Sequence, residues 1–144
     1  MAVIFRHVCS PESLIKILRE ERFRPTYPSP LAGDSGINGY IEGLPFNRNQ
    51  AIEGRGAELI IEWYEDFVEV GNKVINYPLP INKLLRQGSW RAVIPCMTER
   101  EYIKVIGFEV EEKASKHLSW AEKFILWRYK RKLSKSPIFL TLKS

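Results

Sequence analysis

The residues best suited to chemistry are glutamates spaced at strand intervals. Glu109 and Glu111 lie two apart and share a face on an extended segment. Glu58 and Glu62 share a face on theirs. Paired carboxylates in a cleft can stabilise a developing cation or act as a base. On a half-exposed sheet the same pairs form a solvent-facing row, and residues 109–113, Glu-Val-Glu-Glu-Lys, read as well solvated. Arg6 and His7 are neighbours in the apolar run 3–9, so a strand there turns them to opposite sides. One of the two points inward or into a cleft.

A second candidate is the stretch 25–56, with Gly33, Gly36 and Gly39 three apart. No Gly-Lys-Ser/Thr follows, so it is not a P-loop, and it lacks the strand–glycine–helix context of a dinucleotide fingerprint. A folded surface loop needing positive φ explains the glycines. The functional reading opens backbone amides toward a ligand, with Asp34, Ser35, Asn38 and Arg48 as polar contacts. Two cysteines and two histidines without close spacing predict no zinc or other metal site. No Ser-His-Asp arrangement can be assembled from the sequence.

The third candidate is a run of cations. Arg128, Lys130, Arg131, Lys132 and Lys135 close a segment that begins with Ser119-Trp120-Ala121-Glu122, a capping-box pattern. Residues 1–112 hold 13 Lys/Arg against 16 Asp/Glu, whereas residues 113–144 hold nine Lys/Arg against one acid, Glu122. Cations at a helix C-terminus complement the helix dipole. They also suit phosphates, with Trp127 and Tyr129 near enough to stack on unpaired bases. The alternative is a solvated helix end whose aromatics, Trp120, Phe124 and Trp127, are core.

These residues need a scaffold. Ser10-Pro11 caps a helix in which Leu14, Ile17 and Leu18 recur at helical spacing, ending near Arg22. Between Arg24 and Gly56 regular structure is hard to find, and Asp34-Ser35-Gly36 and Asn38-Gly39 read as turns. Strands are expected over 58–63, 68–70, 73–77, 90–94, 103–110 and 137–142, with one or two helical turns over 82–87. Thr98-Glu99-Arg100-Glu101 fits a capping box and a brief turn. Clustered strands with few helices predict a single α+β domain over 1–144. Its sheet is mainly antiparallel, with a short N-terminal helix and a basic C-terminal one.

The opening residues Phe5-Arg6-His7-Val8, then 10–22, then Phe23-Arg24-Pro25, resemble the start of ADP-ribosyltransferase-fold proteins, including DarT-type DNA modifiers. The resemblance covers about 25 residues, with Leu14, Ile17 and Leu18 matching the first helix of that family. It implies NAD as a substrate and Arg6 or His7 as contacts for it. It also implies a catalytic glutamate on a later strand, a place that Glu109 or Glu111 would fill, and a role for 25–56 in holding NAD. A transferase acting on nucleic acid or protein in a bacterial or phage conflict system would be the implied function.

Composition sets the outer bounds. The chain has 144 residues, 44% hydrophobic and 27% charged, with net charge +5, which is ordinary globular usage. No apolar run approaches the roughly 20 residues of a membrane span. Cys9 and Cys96 read as buried thiols of a cytoplasmic protein, with a single disulfide between them left open. Two non-catalytic functions stand beside the transferase. One is DNA or RNA binding through the basic helix. The other is a protein interaction or inhibitor role through loop 25–56, using Tyr27, Tyr40 and Phe46.

Overall fold

The computed structural model describes residues 2–24, 36–42, 55–64, 91–95 and 98–142. The expected elements at 68–70, 73–77 and 82–87 lie outside these residues. The fold is α+β. Among the described residues six strands form one sheet: β1 (Ala2–Cys9), β2 (Gly36–Ile41), β3 (Ala57–Tyr64), β4 (Arg91–Pro95), β5 (Ile103–Val110) and β6 (Ile138–Phe139). Their order is β4-β2-β1-β3-β5-β6, and every pairing is antiparallel. Among the described residues three α-helices accompany them: α1 (Pro11–Glu20), α2 (Glu112–Ser115) and α3 (Trp120–Lys135).

The first strand and helix follow local chemistry. β1 pairs along its whole length with β3, from Ala2 opposite Tyr64 to Cys9 opposite Ala57. Ser10 then caps α1, its hydroxyl accepting from the Ser13 amide at 3.1 Å. Leu14, Ile15, Ile17 and Leu18 bury one stripe of that helix against the sheet. Glu21 ends it in the left-handed region, at φ 51°. Its carbonyl accepts from Thr141, whose own carbonyl accepts from Phe23, so the C-terminal segment is tied beside the end of α1.

One face of the sheet forms the core. Phe5, Leu59, Ile61, Trp63, Ile103 and Val105 lie on it, under α1 and the inner side of α3. At the start of α3 the expected capping box is present. Ser119 and Glu122 exchange hydrogen bonds of 2.9 and 3.1 Å, and those to Ser119 hold the Glu122 carboxyl below its usual range. The box expected at Thr98 is absent. The turn there is a single 3₁₀ turn over Arg100–Tyr102, its N-cap is Glu99 with no side-chain bond, and Thr98 is buried instead.

The segment read as a loop contains a strand. β2 runs through Asn38-Gly39, which is not a turn, and pairs with β1 and β4. Gly39 is required for another reason. A Cβ there would collide with the Arg6 carbonyl and with the Phe5 ring 2.7 Å away. Glycine lets β2 lie close on β1.

This separates two glycine substitutions. Gly39→Ala is expected to lower unfolding free energy by about 1–3 kcal/mol through overpacking. Gly107→Ala, whose Cβ would meet only Ile60 Cδ1 at 3.8 Å, is expected to be tolerated. Urea denaturation of the two variants tests the contrast, and equal stabilities would remove the close-approach explanation.

Candidate functional site

The other face of the sheet carries charge. Alternation along β1 turns Phe5 to the core and Arg6 to this second face. Arg6 lies directly opposite Tyr40 on β2. Glu58 on β3 pairs with Val8, one diagonal step from Arg6, and directly opposite Glu109 on β5. Backbone pairing thus gathers four side chains from four strands.

The contacts are short. Arg6 Nη1 donates to Glu58 Oε1 at 2.5 Å, and Nη2 donates to Glu42 Oε1 at 2.8 Å. Tyr40 donates its hydroxyl to Glu58 Oε2 at 2.6 Å. Arg6 Nη1 also lies 3.7 Å from Glu109 Oε1. Glu58 is wholly buried, while the Glu42 and Glu109 side chains keep 53% and 43% exposure. A buried carboxylate needs both oxygens satisfied, and Arg6 and Tyr40 each take one. Burial works against the charge on Arg6. The hydrogen bonds to Glu58 and Glu42 outweigh it and hold its pKa above the ordinary arginine value.

Among the described residues, the cluster sets one cation, Arg6, beside three carboxylates. It favours a cationic group, or a cation that forms during reaction, over a phosphate. Among the described residues, no three His, Cys, Asp or Glu side chains are arranged to hold a metal ion.

The expected site residues separate. Arg6 and Glu109, proposed from distant parts of the chain, meet. Glu111 does not share the face of Glu109, because β5 ends at Val110. Glu111 is the N-cap residue of α2, its amide bonded to the Gly56 carbonyl at 2.8 Å. His7 packs edge-on against Phe23, ring centres 5.0 Å apart, away from the cluster. Asn38 lies in β2 opposite Val93. The Asn38 side chain, Asp34 and Arg48 lie outside the described residues, as does most of 25–56.

Glu42 is not among the residues the sequence singles out. Glu58 stands there as one of a carboxylate pair with a solvent-facing alternative, and its burial corrects that alternative. Tyr40 was read as a docking residue for a protein partner, but it is buried with its hydroxyl on Glu58. The available signal was a lone charge inside each of two apolar runs, Arg6 in one and Glu58 in the other. Charges of opposite sign in such places need each other.

No family model, curated protein or solved structure matches the chain.

Cys9 ends β1 as a buried free thiol. Burial pushes its pKa up to about 12, with Glu58 adding to the rise and Arg55 opposing it. An unfolded thiol loses its proton above about pH 9, so the folded state binds the extra proton over that window. Stability should therefore fall as pH rises from about 9 toward 12, beyond the fall seen in Cys9→Ala. Urea titrations across that range check the difference, and identical pH profiles would rule it out.

The ion pair makes its own prediction. Glu58→Ala leaves Arg6 without its buried partner and should cost about 3–5 kcal/mol. Tyr40→Phe removes one bond to a charged acceptor and should cost about 1.5–3 kcal/mol. Equilibrium denaturation measures both, and losses below about 0.5 kcal/mol would show that the network contributes little.

Proposed function

We propose that this chain is an ADP-ribosyltransferase-like protein that takes NAD as substrate and uses Glu109 as its catalytic carboxylate. One observation supports the reading. Arg6 on the first strand and Glu109 on the fifth, each assigned from its place in the sequence, lie 3.7 Å apart on one sheet face.

In this reaction the bond between nicotinamide and ribose breaks. Its electron pair leaves with nicotinamide, and positive charge spreads over the ribose ring carbon and oxygen. A nucleophile on the acceptor then bonds to that carbon and releases its proton. Glu109, half exposed beside the ion pair, stabilises the developing cation and orients a ribose hydroxyl. Arg6 acts as a positioning residue, because its donors already serve Glu58 and Glu42. Asp34, Asn38 and Arg48 are the further proposed contacts to NAD, Arg48 being the one whose charge suits the pyrophosphate. The acceptor is a macromolecule, nucleic acid or protein. A part in bacterial or phage conflict rests on the resemblance of the first 25 residues alone.

Glu109→Gln is expected to cut nicotinamide release about 10²-fold or more while leaving the melting temperature near that of the parent. Glu111→Gln should keep most of the activity. A saturable rise in melting temperature with NAD is expected in both variants, since a ligand bound only by the native state must stabilise it. Undiminished release from Glu109→Gln would remove the assignment. Absence of both an NAD shift and any release would remove the reading itself.

A further inference from the structure

The outer face of α3 is an unusual surface. Its inner stripe is apolar, with Leu126 buried and Ile125, Tyr129 and Leu133 packed on the core. The opposite stripe is Trp120, Phe124, Trp127, Arg131 and Lys135, at steps of four, three, four and four residues. These spacings fall on one helical face. Its three aromatics are 89%, 51% and 53% exposed. The expected alternative, in which they are core, is thereby corrected. Exposing them leaves a large apolar area in water, which marks an interaction surface.

The aromatics and cations are interleaved. Phe124 and Trp127 stack with ring centres 5.9 Å apart, and the Arg131 guanidinium sits 5.0 Å over the Trp127 ring. Arg128, Lys130 and Lys132 flank the stripe. A groove of about 570 Å³ continues it toward α1, where Arg19 adds a fifth cation to Arg128, Arg131, Lys132 and Lys135. Among the described residues no carboxylate lines that groove, although Lys132 lies 3.8 Å from Glu21 at its edge.

We infer that this face of α3 is a binding surface for single-stranded nucleic acid, with bases stacking on Trp120, Phe124 and Trp127 and phosphates meeting the cations of the groove. The aromatic row spans about 10 Å along the helix axis. Flat rings beside cations match a strand whose bases are free to leave their stack, and duplex bases are not. Three other occupants fit less well. A helix lying on a bilayer keeps its cations apart from its apolar face, whereas here Arg131 lies over Trp127. A second copy would set the same cations against each other. An acidic peptide would use the cations and leave the rings without partners.

The inference stands apart from the transferase reading, and its test uses neither NAD nor turnover. Fluorescence anisotropy of the full chain would be measured with labelled single-stranded DNA and RNA of about 12 nucleotides and with a duplex of the same sequence. The single strands are expected to bind more tightly than the duplex. Affinity should fall with salt on a logarithmic slope of about −3, as for four or five phosphates. Each of Trp120→Ala, Phe124→Ala and Trp127→Ala should weaken binding about tenfold, without loss of helix by circular dichroism. The relative affinity for DNA and RNA tells which strand is preferred. Equal binding of duplex and single strand, insensitivity to all three aromatic variants, or no binding would each overturn the inference. So would equal competition by polyglutamate, or capture by phosphatidylserine vesicles without oligonucleotide binding.

Discussion

Two glutamates, Glu58 and Glu109, face each other across β3 and β5. Like charges placed directly opposite destabilise a sheet. The guanidinium of Arg6 sits within 4 Å of both and makes the arrangement tolerable. It bonds Glu42 as well, while Tyr40 satisfies the second oxygen of Glu58. Burying Glu58 is costly unless its bonds are made, so the register of β1, β2, β3 and β5 is constrained by one polar cluster as well as by the apolar core. A slip of one residue in β1 would move Arg6 to the wrong face and strand Glu58 without its cation.

The sheet therefore has two chemically distinct sides. Beneath α1 it is dry, built from Phe5, Leu59, Ile61, Trp63, Ile103 and Val105. The opposite side presents an acid-rich cluster with two partly exposed carboxylates. Gly39 serves both sides, because its missing side chain brings β2 against Phe5 and sets Tyr40 opposite Arg6. The helix α3 repeats the division on a smaller scale. Aliphatic residues face the core, and a mixed aromatic and cationic row faces water. Its cations gather at the C-terminal end, where the helix dipole favours them. Arg131 over Trp127 and Lys132 near Tyr129 add ring contacts worth about 0.5–1 kcal/mol each at exposed sites.

Much of the framework was legible because its causes are local. The Ser10 cap, the stripe of Leu14, Ile17 and Leu18, the Ser119–Glu122 box and the run Ile103–Val110 each express rules that act within a few residues. The α+β class followed from the order of these elements. β2 was missed because Asn-Gly signals a turn only when its neighbours do not pair. Here β1 and β4 flank it on both sides, and tertiary pairing overrode the local signal.

Of the candidate site, the residues alone pointed to Arg6, Glu109 and the cations of α3. They could not say that Glu58 is buried, that Glu111 falls past the end of its strand, or that Trp120, Phe124 and Trp127 face water. Each of those facts depends on which surface meets the core. A strand or helix with candidate apolar residues on two faces buries only one of them, and long-range packing makes the choice. In α3 the aliphatic stripe of Leu126 and Leu133 fits against β5 and α1, so the aromatic stripe remains outside. Propensity and capping determined where β1, α1, β5 and α3 lie. The antiparallel register and the competition between faces for the core decided which side chains meet.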